Sequence, residues 1–266
     1  MPKGGLARRA TAIALLRQDT PDRVLLLDSG DSLFKRSEAA ASTDSKQGAL
    51  PIEAMNAMGY DAMALGVMDL APVSVVQARF QEADFPILST NADLAGALPR
   101  LSEQKLVQPY LLRQMDGHTV AIIGATSEVA RQRAQALGIA LTVEDPVDAV
   151  RRTVEEVRDR ADIIILLANL DQQINVLLAR EVAGIDVIIG SYKSGQIRPA
   201  TVEGPEGTVV LHASGVQGEY LGVLSLHFDA AGHIGSFEGF AEPLTLDKYA
   251  DDPDIVRLIH QYATRP

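Results

Sequence analysis

Apolar and polar positions follow two alternating patterns along most of the chain. "RVLLLD" (23–28) is a continuous apolar run, as expected for a strand buried on both faces. "DAMAL" (61–65), "FPILST" (85–90), "TVAIIGA" (119–125), "DIIILLAN" (162–169) and "DVIIGS" (186–191) follow as further short strands. Between them, "PIEAMNAMG" (51–59) has helical spacing, with Pro at its start and Gly at its end. "APVSVVQARFQEA" (71–83), "DPVDAVRRTVEEVRDRA" (145–161) and "LDQQINVLLAREV" (170–182) complete the helical set. In the second of these, Val147, Val150, Val154 and Val157 recur every three or four residues, so one face packs inward and Arg and Glu stay in water. The pattern changes near the end. "GTVVLHASG" (207–215) and "EYLGVLSLHFDAAGHIGSFEGF" (219–240) alternate and turn at "DAAG", which predicts antiparallel strands closing the sheet.

No low-complexity linker divides the 266 residues, so one domain over 1–266 is expected, with a mobile small-residue loop near Ser37 to Gly48. Arg8-Arg9 before "ATAIALL" imitates a secretion signal, but the apolar stretch is short and lacks a convincing cleavage site, so a helix of the mature domain is expected. No run is long enough for a membrane span. A net charge of −11 argues against nucleic acid as a partner, because phosphate binding needs a basic face. With no cysteine, disulfides, thiolate zinc sites and a cysteine nucleophile are excluded.

In layered α/β folds, ligands collect at the carboxyl ends of strands. The loops there are "DSGDSLF", "GVMDL", "STNADL", "GATSEV", "ANLDQQ" and "GSYKSG". Their order, with "AMNAMGYDAMALG" and the closing "GEYLGVLSLHFD" and "DDPDIVRLIHQY", resembles the calcineurin-like metallophosphoesterases. More narrowly it resembles the amino-terminal domain of bacterial 5'-nucleotidases and UDP-sugar hydrolases, over nearly the whole chain. The resemblance implies an α/β fold: a layered α-β-β-α sandwich with mixed sheets, here lacking the first strand. It also implies a pair of divalent metals (Mn, Zn, Mg or Ca), phosphoric-ester hydrolysis in nucleotide catabolism, and a periplasmic or extracytoplasmic location. Paired metals suit that chemistry because they lower the pKa of a bridging water and neutralise charge on the phosphoryl group.

The family's ligand pattern is broken at almost every step. Asp-x-His is absent, and Gly30-Asp31 remains. In the third motif, Val67 and Met68 replace the Asn and the transition-state His, and only the acid remains, as Asp69. Ala168-Asn169-Leu170 replaces Ser-His-Leu, and the two histidines of the last motif fall on Tyr192 and Ser194. Asp31 and Asn169 are thus residual metal ligands by resemblance, too few to hold a metal centre; no cofactor is expected. Asp31 also reads as a turn or cap residue, and Asp28 and Asp69 as structural.

The leading expectation is a silent or severely impaired phosphoesterase domain kept for binding or assembly, with a protein partner or a small phosphorylated ligand. Alternatives are a hydrolase completed by an upstream segment, and a metal-free anion or nucleotide binder using Tyr192, Lys193 and Ser194. Lys193 also reads as an ordinary solvated lysine. Thr126 and Ser127 have no accompanying base, which disfavours a serine hydrolase. Of the five histidines, His118, His212, His227, His233 and His260, none pairs at ligand spacing, though His212 and His227 could face each other across strands.

Overall fold

The computed structural model describes residues 3–20, 22–34, 47–94, 106–190, 198–213, 218–229 and 232–264. Tyr192, Lys193 and Ser194, and most of the loop expected near Ser37 to Gly48, lie outside the described residues. The chain enters through α1 (Leu6–Asp19), the helix expected of "ATAIALL", and continues into β1 (Leu27–Asp28) and α2 (Ala49–Met58), which Gly59 ends in a left-handed conformation. Next come β2 (Ala62–Ala64), a short 3-10 turn (Val67–Asp69), α3 (Val73–Glu82), β3 (Ile87–Leu88), β4 (Ala92–Asp93) and β5 (Val107–Gln108). The second half begins with β6 (Tyr110–Met115), β7 (His118–Thr126), α4 (Val129–Ala136), β8 (Thr142–Val143) and α5 (Pro146–Val157). Asp145 caps α5, accepting from the backbone N–H of Val147 and Asp148 ahead of Pro146. It closes with β9 (Ile163–Asn169), α6 (Gln172–Glu181), β10 (Val187–Gly190), β11 (Ala200–Gly204), β12 (Gly207–His212), β13 (Tyr220–Phe228), β14 (Ile234–Pro243) and α7 (Pro253–Thr264).

These elements stack as four layers. One sheet runs β1-β2-β3-β5, all parallel. The other runs β11-β12-β10-β9-β7-β6, with four parallel central strands and antiparallel edges. Ile52, Met55, Val75, Phe80 and Ile255 cover the outer face of the first sheet against Met63, Leu65 and Ile87. Val150, Val154 and Leu178 cover the outer face of the second against Ile123, Ile164 and Leu166. Between the sheets, Ala62, Ala64 and Leu88 meet Val120, Ile122, Ile165 and Leu167. Gly124 makes this approach possible: a Cβ there would lie 2.2 Å from the Leu88 carbonyl oxygen. The result is the α-β-β-α sandwich.

Two expectations change. Among the described residues, β13 and β14 pair only with each other as a separate two-stranded sheet instead of closing a larger one. "RVLLLD" is not fully buried on both faces: Val24, Leu25 and Leu27 are half-buried, and among the described residues β1 is an edge strand that pairs with β2 alone.

Candidate functional site

The carboxyl ends of β1, β2 and β9 converge, and the loops leaving them are held by side chains that bind backbone. Asp28 ends β1 and accepts from the backbone N–H of Gly30 and the Ser32 hydroxyl, both at 2.8 Å. Its burial pushes its pKa up, against the pull of the Arg9 guanidinium. Gly30 has φ 88°, and a Cβ there would lie 2.7 Å from the Ala64 oxygen, so the loop from β1 lies directly on the loop from β2. Asp31 follows at φ 65°, a left-handed conformation that Asp tolerates better than most residues. Its Oδ1 accepts from the Met68 N–H at 2.7 Å.

Asp69 is fully buried and forms the centre of this arrangement. Its Oδ2 accepts from the N–H groups of Gly66 and Asp31, both at 2.8 Å, and its Oδ1 from those of Ser32 and Leu33, both at 2.9 Å. One carboxylate therefore clamps two loops that are more than thirty residues apart in sequence. Burial and the neighbouring Asp31 charge push its pKa up to about 7, while the N–H donors pull it down.

Asn169 ends β9 and is buried. Its Nδ2 donates to the Ser29 carbonyl at 3.1 Å, and its Oδ1 accepts from the Val67 N–H at 3.3 Å. Val67 and Met68 are half-buried on the intervening turn. Below it, Thr126 donates from its hydroxyl to the Leu65 carbonyl at 2.7 Å and lies 2.8 Å from the Ser89 hydroxyl. Asn91 exchanges two bonds with the Thr126 backbone, both at 2.8 Å. The buried Thr126 hydroxyl is thus a strut, and Ser89 and Asn91, which sequence reasoning did not single out, complete it. Their one signal was a polar "STN" ending an apolar run.

The histidines do not converge. His227 pairs opposite Ser236 on β14, while His212 lies in the six-stranded sheet beside Ile189, so the two do not face each other. His118 stacks on Phe228 with ring centroids 4.7 Å apart. His212 is buried, which lowers its pKa, and among the described residues neither ring nitrogen has a hydrogen-bond partner.

No family model matches the chain. It is 30% identical to the 5'-nucleotidase of Bos taurus over 289 residues, covering 98% of this chain and 47% of that protein. Among solved structures, a 5'-nucleotidase precursor from Thermus thermophilus superposes with TM-score 0.83 at 26% identity, over 98% of this chain and 53% of that one. The calcineurin-like phosphoesterase YfkN from Bacillus subtilis shares the fold at TM-score 0.75 and 22% identity, over 99% of this chain and 89% of that one. The chain belongs to the calcineurin-like metallophosphoesterase superfamily. Within it, this 5'-nucleotidase-type domain spans about half the length of the curated relatives it matches.

Among the described residues, a metal pair does not fit the donors that this metallophosphoesterase-type domain presents. Of the residual candidates, Asp31 and Asn169 each spend a side-chain oxygen on a backbone N–H of the 67–68 turn. Asp69 spends both oxygens on four donors. Among the described residues, no group of three or more His, Asp or Glu side chains is placed to share an ion. A two-metal centre needs several convergent N and O ligands, and a valine and a methionine supply none where the strand-end loop faces outward.

Proposed function

We propose that this chain is a phosphoesterase-type domain, over 1–266, that does not turn over phosphate esters and serves as a binding or assembly module. The observation that carries the reading is the fate of the loop donors: the side chains that could still bind metal hold the backbone of the Gly66–Asp69 turn instead. On that turn Val67 and Met68 offer no metal ligand, and Asp31, the exposed carboxylate beside them, spends one oxygen on the Met68 N–H. Hydrolysis of nucleoside phosphates, the activity named for the bovine relative, is therefore not carried over. No helix among the described residues is long and apolar enough to cross a membrane. The extracytoplasmic placement implied by resemblance stays part of this proposal.

The test is direct. Purified protein is incubated with manganese, zinc, magnesium or calcium, freed of loose ions and analysed by elemental mass spectrometry. Hydrolysis of p-nitrophenyl phosphate and AMP is then followed with each metal present. The expected result is no near-stoichiometric metal and no turnover above the metal-only control. Two retained metals with sustained turnover would overturn the reading.

A further inference from the structure

We draw no further inference here: the strongest candidate, the open groove between α2 and α7 lined by Glu53, Asn56, Ala57, Ile255, Leu258 and Gln261, is an unpartnered surface, and nothing in the structure shows what covers it.

Discussion

Replacing Asp69 with alanine removes the one group that ties the loop after β1 to the loop after β2. Four backbone donors lose their acceptor, and the bonds from Gly66 and Leu33 are fully buried, so water cannot take them over. The donors of Asp31 and Ser32 lie in partly exposed bonds and can be resolvated. An orphaned buried donor costs about 1 to 3 kcal/mol, so the two buried ones set the loss at about 2 to 6 kcal/mol. Asp69→Asn keeps one carbonyl oxygen but turns an NH2 group toward donors, leaving one buried N–H unmet at a cost of about 1 to 3 kcal/mol. Urea unfolding at pH 8 reads both. With an m-value of roughly 3 kcal/mol/M, the alanine variant's midpoint falls by roughly 0.7 to 2 M at unchanged slope, with asparagine in between. An alanine variant within about 1 kcal/mol of wild type would refute the clamp.

Three further outcomes follow from the same structure. Asn169→Asp replaces the donor to the Ser29 carbonyl with an oxygen and sets two acceptors face to face; a loss of about 1 to 3 kcal/mol is expected in the same titration, and an unchanged midpoint would count against the bridge. Gly124→Ala drives a methyl into the Leu88 backbone, so a thermal melt should show a loss of about 1 to 3 kcal/mol or more, and wild-type melting would show that the sheets are not in contact there. His212 has a folded pKa below its ordinary 6.5, so the unfolded chain takes up the proton first. Its contribution to stability is intact above about 6.5 and is lost as pH falls from there toward the depressed folded value. The stability difference between wild type and His212→Gln, measured from pH 8 to 5, should therefore shift against the wild type as pH falls, and a flat difference would mean that the ring is solvated.

Most of the architecture was legible because each layer writes its own period into the chain. The apolar runs of β7 and β9 are covered on both sides, and the valine spacing of α5 marks its inward face. β1 was misread for a physical reason: an apolar run reports the capacity to be buried, and not the presence of a neighbour on each side. The separate β13–β14 sheet escaped for the same reason, since alternation predicts pairing without naming the partner. At the site, the replacement of ligand positions by Val67 and Met68 was readable from residue types alone. The clamp was not, because Asp69 meets the donors of Asp31, Ser32 and Leu33 across 36 to 38 positions of sequence, and backbone donors leave no mark on composition. Asn169 looked like a weak oxygen donor, and only the structure shows its amide bridging Ser29 and Val67.

The Asp69 clamp also separates what the turn looks like from what its side chains are. Gly66, Asp69 and the amides of residues 31–33 set the path of the backbone; Val67 adds its N–H and partial packing on the outer core, and Met68 its N–H. Met68 is consequently the freer of the two positions: substitutions there can erase or introduce chemistry with little effect on folding. A chain built this way can pass from one role to another without crossing an unfolded intermediate sequence.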